Sequence, residues 1–347
     1  MGLFRFYLAI VVVISHYRIL VLNQYGAERD ASYLFFSTLG LDAGHAVFLF
    51  YMISGFLISF ALEKKYDFKA FTFYLGRMKR IFPLYLTLAF LTILVTGSNY
   101  LKTPFWPFGL GLLGGDWLLV FKDYPKEFWA HLPPLLNPAW SLSVEICFYL
   151  VAPWLLRSKL CLPIFMASIL VRWSCLHFDL GTLYYYWFPP SLFFFLAGHY
   201  ASKFYEKMRI PNYLYLCILT MFFFLTWQGI TAKYFDNPIF YSYALCFFIT
   251  LPFIFHKTKN IAWMNKAGDL SFPIYLTHTW LISSLFLGKQ PIFAPKTFFS
   301  KGIPGLMALL LFVLITSILL HYLIELKAPI AFSYLKTMKN KLSKQNS

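Results

Sequence analysis

A histidine at position 16 stands inside an apolar run, FRFYLAIVVVISHYRIL, with Arg5 about three helical turns before it. On a helix the two project from nearly the same face. An imidazole titrates near neutrality, so His16 could take the proton of an attacking hydroxyl as a general base. In FYLGRMKRIFPLYL, Arg77 and Arg80 lie three residues apart and share a helix face. Two guanidinium groups there suit the oxygens of phosphate groups. In WSLSVEICFYL, Glu145 stands in another apolar run, where a carboxylate is costly unless paired, protonated or employed. Each residue also has a plainer reading. His16 could be a packed core histidine, the arginines could only enforce topology, and Glu145 could be a contact between helices.

The elements that position these residues follow from composition. The chain has 347 residues, 59% hydrophobic, 22% aromatic and 13% charged. Soluble domains carry about 25% charged residues, so there is too little polar surface here to cover a soluble core. A polytopic all-α membrane protein accommodates such a chain, because helices satisfy their own backbone in lipid. The formal charge of +16 could suggest nucleic acid as a partner. The basic residues instead fall in short loops between apolar runs and in the tail, the pattern of positive-inside topology. Cys147, Cys161, Cys175, Cys217 and Cys246 lie in or beside apolar runs with no close C-x-x-C pair, which predicts neither disulfides nor a thiolate metal site.

About ten spans are predicted, at residues 3–22, 41–61, 81–97, 140–156, 160–177, 189–203, 212–230, 239–256, 271–287 and 304–326. The sixth is short and begins with Pro189 and Pro190. Residues 108–121, interrupted by Asp116, read as a re-entrant or interfacial piece. The first inner loop is expected to carry Lys64, Lys65, Lys69, Arg77, Lys79 and Arg80, which orients the chain N-in and C-in. Residues 98–139 read as a long outer loop over the extracytoplasmic face. Residues 1–330 form one integral membrane domain and residues 331–347 a basic cytoplasmic tail. With no A-x-A-like cleavage signal, the N-terminal run reads as a first span.

Other polar residues enter the apolar runs. Ser54 and Gly55 in FYMISGFLISF predict close helix approach. His278 stands in GDLSFPIYLTHTW, and Glu325 in HYLIELKAP falls at the inner boundary. Glu145 is expected to pair with His16 or Arg18, or to bind a polar substrate.

In this order the landmarks resemble the integral membrane acyltransferase family (acyltransferase 3), which includes O-antigen and exopolysaccharide O-acetyltransferases. The resemblance runs over residues 3–326 and rests on Arg5 with His16, FYMISGFLI, GRMKRIFPLY, WSLSVE with the following FYL, and the FPIYLTH and YLIE blocks. It implies a ten-helix membrane core that transfers a short acyl group from cytoplasmic acyl-CoA to a carbohydrate hydroxyl on the other side. By that resemblance His16 is the catalytic base, Arg5 and Glu145 belong to the catalytic set, and Arg77 with Arg80 binds the acyl donor. Acetyl-CoA is the implied co-substrate, with no metal. The implied partners are a carbohydrate acceptor such as an O-antigen, capsule or exopolysaccharide unit, and membrane lipids. The implied location is the bacterial cytoplasmic (inner) membrane. The chain departs from the family pattern at Ile146, at Tyr322-Leu323, and in the spacing of Pro329 from Glu325. A succinyl donor, a covalent route through Ser54 or Ser143, a glycan flippase and a non-catalytic scaffold are the competing readings.

Overall fold

The computed structural model describes residues 1–22, 42–96, 136, 138–180, 183–205, 211–229, 238–287, 292 and 302–327. Most of the predicted outer loop, the 108–121 piece and the 331–347 tail lie outside the described residues. Among the described residues every regular element is helical. In chain order these are α1 (Gly2–Tyr17), α2 (Ala43–Ala61), α3 (Ala70–Thr96), α4 (Ala139–Leu155), α5 (Cys161–His177), α6 (Leu183–Tyr186), α7 (Phe188–Phe204), α8 (Asn212–Gly229), α9 (Pro238–Thr258), α10 (Ala262–Asp269), α11 (Ser271–Ile282) and α12 (Gly302–Leu320). Wider π-type turns extend α1 through Arg18–Leu22, α2 through Leu62–Tyr66, α11 through Ser283–Leu287 and α12 through His321–Glu325.

Each of the ten predicted apolar segments overlaps a helix. Among the described residues five helices are long and apolar enough to cross a membrane: Gly2–Leu22, Ala43–Tyr66, Ile239–Thr258, Ala262–Leu287 and Gly302–Glu325. Ala139–Leu155, Cys161–His177 and Asn212–Thr226 are shorter apolar helices. The segment begun by two prolines is helix α7. Both prolines fall in its first turn, where a missing N–H leaves no intrahelical bond unmade.

One expectation needs correcting. The sequence predicts the basic run GRMKR in a loop, with the third span starting at residue 81. Helix α3 instead begins at Ala70 and runs unbroken through Arg77, Lys79, Arg80 and Pro83. The turn before it is made by Asp67 and Phe68, both left-handed at φ 48° and 52°. Leu, Met, Arg and Lys are good helix formers, and charge alone does not end a helix. Arg77 and Arg80 therefore sit on a rigid element.

Among the described residues, helices α2 and α7 make the most extensive interface of the bundle. Glycines permit it: a Cβ on Gly55 would stand 1.9 Å from the Phe195 carbonyl oxygen, and one on Gly198 would stand 2.0 Å from that of Met52. In lipid, helices associate by close packing rather than by burying apolar surface from water, and small residues make that packing possible. Aromatic rings fill the space around the contact. Phe48 stacks on Phe194 with centroids 4.5 Å apart, and Tyr51 and Phe148 stack on Phe195 at 4.5 and 4.4 Å. Helix α1 packs against α2, α10 and α11, and α12 covers α11. Phe90, Trp154, Leu170, Phe224, Leu245 and Leu311 project outward from α3, α4, α5, α8, α9 and α12. Large apolar side chains exposed around the periphery are what a lipid-facing surface requires.

Candidate active site

Helices α1, α2, α3, α4, α9, α10 and α11 line a partly open cavity of about 580 Å³, whose lining includes Arg5, Ser54, Arg77, Arg80, Glu145 and Tyr275. Four of the five predicted site residues thus meet in one chamber: Arg5 from α1, Arg77 and Arg80 from α3, and Glu145 from α4. The volume falls within the range of small-molecule sites, roughly 300–1,000 Å³. Lys259, after α9, adds a further cation to the lining.

Two of the cations in this chamber are incompletely satisfied. Arg5 reaches Asp269 at 3.9 Å, while its Nε is buried with no hydrogen-bond partner. The Arg5 guanidinium lies over Gly268, where a Cβ would come within 2.9 Å of Nη2. Arg77 lies over the rings of Phe73 and Tyr149 at 5.4 and 5.7 Å, and its Nε is likewise buried and unpartnered. Buried polar groups are nearly always paired, so these two nitrogens mark capacity for an anion.

Glu145 takes neither of the protein partners expected for it. Its carboxylate accepts hydrogen bonds from the Ser54 hydroxyl of α2 and, at 2.5 Å, from the Tyr149 hydroxyl one turn along α4. Arg18 is instead 3.9 Å from Asp42, which caps α2 by accepting from the Ala43 N–H at 2.8 Å. A carboxylate held by two hydroxyls in a cation-lined chamber is paired and still faces the cavity. In the sequence Tyr149 stands in the FYL that follows WSLSVE, but nothing there marks it as a partner of Glu145.

His16 is not part of this lining. Its Nδ1 lies 3.0 Å from the Val12 carbonyl oxygen and 3.2 Å from Nε2 of His278 on α11. The two rings are 4.9 Å apart between centroids and tilted by 41°. The expectation that Arg5 and His16 serve one face of α1 therefore divides: Arg5 lines the chamber, whereas His16 meets α11. His278 is completely buried, and its Nδ1 lies 2.7 Å from the Tyr275 carbonyl oxygen. Tyr275 joins the two regions. Its side chain lines the chamber and bonds to Ser141 at 2.6 Å, while its backbone holds His278.

Glu325 pairs within its own π-type turn with His321 at 2.6 Å. Arg172, not singled out in the sequence, is buried. It donates to the Tyr241 hydroxyl and the Tyr184 carbonyl, both at 3.0 Å, and lies over Phe48 and Phe194 at 4.6 and 4.9 Å. Satisfied on all these sides, it fastens α5 to α2, α7 and α9.

Comparisons with known proteins place the chain in a family. The chain is 30% identical over 132 residues to a protein of Staphylococcus aureus (strain COL) named "Putative O-acetyltransferase", covering 35% of this chain and 20% of that one. The same figures hold for the protein of that name in Staphylococcus aureus (strain MW2). An "Uncharacterized protein" of Aquifex aeolicus is 26% identical over 188 residues, which is 50% of this chain and 82% of that one. The chain thus spans about a fifth of the length of its staphylococcal relatives. No solved structure gives a significant match. A family model described as "Acyltransferase domain" matches residues 1–322, nearly the whole chain and every residue of the chamber and of the histidine pair. By that match, the chain belongs to the acyltransferase 3 family.

Proposed function

We propose that this acyltransferase moves a short acyl group, acetyl in the first instance, from cytoplasmic acyl-CoA to a hydroxyl of an extracytoplasmic or lipid-linked carbohydrate. The observation that carries the reading is the chamber of about 580 Å³, where unpartnered nitrogens of Arg5 and Arg77 meet Arg80 and Glu145 beside the turn that holds His278 against His16. Such a chamber suits a ligand with an anionic end and a neutral arm.

In this reading the protein crosses a bacterial cytoplasmic membrane ten times, with both termini inside. The start of α1, the start of α3 and Lys259 then form the inner mouth of the chamber. Phosphate groups of acetyl-CoA lie against Arg77 and Arg80, as bidentate guanidinium recognition favours. The thioester arm passes Ser54 and Tyr275 toward the histidine pair. A sugar hydroxyl approaches from the outer side. His16 removes its proton as the hydroxyl oxygen attacks the thioester carbonyl carbon. The C–S bond then breaks, the proton passes to the departing thiolate, and the products are the acyl ester and free CoA. Glu145 orders Ser54 and Tyr149 and sets the negative end of the chamber, opposite its guanidinium groups.

The test is mass spectrometry of surface glycans from cells lacking the gene, then restored with wild type or with His16→Ala. Deletion is expected to remove the mass of one acetyl group from each modified sugar. Wild type restores that mass and the mutant does not. Loss of a succinyl mass instead would change the donor and keep the mechanism. A deletion that leaves every surface glycan unchanged would contradict the carbohydrate acceptor.

A further inference from the structure

We infer that His278 is a positioning residue for His16, fixing the tautomer in which the His16 Nε2 lone pair is free to take a proton. This rests on the reading of His16 as the general base. It assigns a role to a residue that lies outside the chamber and far from His16 in sequence.

The argument is a hydrogen-bond count. A carbonyl oxygen can only accept, so the 2.7 Å contact between His278 Nδ1 and the Tyr275 oxygen puts a proton on that nitrogen. A neutral His278 then carries its lone pair on Nε2. That atom faces His16 Nδ1 at 3.2 Å, and the same His16 atom faces the Val12 carbonyl oxygen at 3.0 Å. His16 Nδ1 therefore meets two acceptors. It must be the N–H nitrogen, shared between them, and the lone pair of the neutral His16 ring must be on Nε2.

The two acceptors do different work. Val12 lies one turn below His16 on the same helix, so its carbonyl favours the tautomer but follows every rotation of α1. His278 belongs to α11 and ties the ring to a second element. Its ring is completely buried and is held in turn by Tyr275. Once His16 has taken a proton on Nε2, its Nδ1–H still points at an acceptor, so the imidazolium forms without reorganising its partners. A proton passed on to His278 would go no further, because the Tyr275 carbonyl cannot accept it covalently. His278 orients the base and does not relay its proton.

Side-chain reach gives a selective test. The amide nitrogen of asparagine occupies the place of histidine Nδ1, so His278→Asn keeps the bond to Tyr275 and loses the acceptor for His16. The amide oxygen of glutamine occupies the place of Nε2, so His278→Gln keeps that acceptor. His278→Leu removes both. The full-length variants are purified in detergent and checked for folding by size exclusion and thermal unfolding. They are then assayed with acetyl-CoA and the glycan fraction extracted from cells lacking the gene, beside His16→Ala. The expected result is that His278→Asn and His278→Leu lower kcat by about ten- to a hundredfold, as small misplacement of a catalytic group does. His278→Gln stays within a few-fold of wild type, and the KM for acetyl-CoA is unchanged in all three because His278 is outside the chamber. If His278→Asn works as well as His278→Gln, or if His278→Gln falls with the others, the positioning role is overturned while the base assignment stands. If folded His16→Ala retains the wild-type kcat, the base assignment fails and the positioning role fails with it.

Discussion

Tyr149 stands one helical turn beyond Glu145 on α4 and donates its hydroxyl to the Glu145 carboxylate at 2.5 Å. The same ring carries the Arg77 guanidinium over its face at 5.7 Å. One tyrosine therefore links the acidic and basic groups of the chamber, and Ser54 brings α2 into the same cluster. The cluster lies where α2, α3 and α4 meet, so it bears on stability as well as on chemistry.

Removing the carboxylate should expose that double role. Glu145→Ala leaves the hydroxyl of Tyr149, a buried ring, and that of Ser54 without their acceptor, a loss of about 1–3 kcal/mol. Glu145→Gln retains a carbonyl oxygen and should recover most of that loss. Thermal unfolding in detergent reads the difference directly. Equal Tm values for Glu145→Ala and wild type would show that the cluster contributes nothing to folding.

The glycines of the α2–α7 contact make a second, sharper prediction. Gly55→Ala would place a methyl 1.9 Å from the Phe195 carbonyl oxygen, and Gly198→Ala would place one 2.0 Å from that of Met52. Both obstacles are backbone, so the helices must separate. Overpacking of this kind costs about 1–3 kcal/mol. Because the two sites share one interface, the double mutant should lose less than the sum of the singles, since one separation relieves both clashes. Strict additivity in the measured Tm shifts would argue against a shared displacement.

The arginines of α3 should act on donor binding. Arg80→Ala is expected to raise the KM for acetyl-CoA about tenfold or more, the usual loss for a hydrogen bond to a charged group. Arg77→Lys keeps the charge but gives up the planar guanidinium that lies over Phe73 and Tyr149, so it should behave more like alanine than like wild type. Initial rates against acetyl-CoA concentration provide the check. An unchanged KM in the Arg77→Ala, Arg80→Ala double mutant would remove the arginines from the donor site.

The sequence made the helices legible because lipid permits few alternatives. A long apolar run with satisfied backbone is a helix, and all ten predicted segments overlap one. The start of α3 was not legible, because a basic run of good helix formers looks like a loop when charge is read as topology. The residues of the chamber were legible one by one through type and motif, but their grouping was not. His16 and His278 are 262 positions apart, and nothing in either apolar run names the other. Arg5 and His16 share a helix and still serve different neighbours, since Arg5 at one end of α1 meets Gly268 and Asp269 of α10 and His16 at the other meets His278 of α11. The partners of Tyr149 and Arg172 stayed hidden because an aromatic in an aromatic-rich chain, or an arginine in a span, carries no sign of what it meets.

The central claim is that His16 is the base for acyl transfer, and the most direct measurement is the rate of transfer by purified His16→Ala in proteoliposomes. Acetyl-CoA is supplied on one side, the extracted glycan fraction on the other, and acetyl-CoA binding is measured in parallel. The account predicts a rate about 10²–10⁴-fold below wild type, the contribution of a positioned general base, with donor binding intact. A folded His16→Ala protein that transfers acetyl groups at the wild-type rate would contradict it.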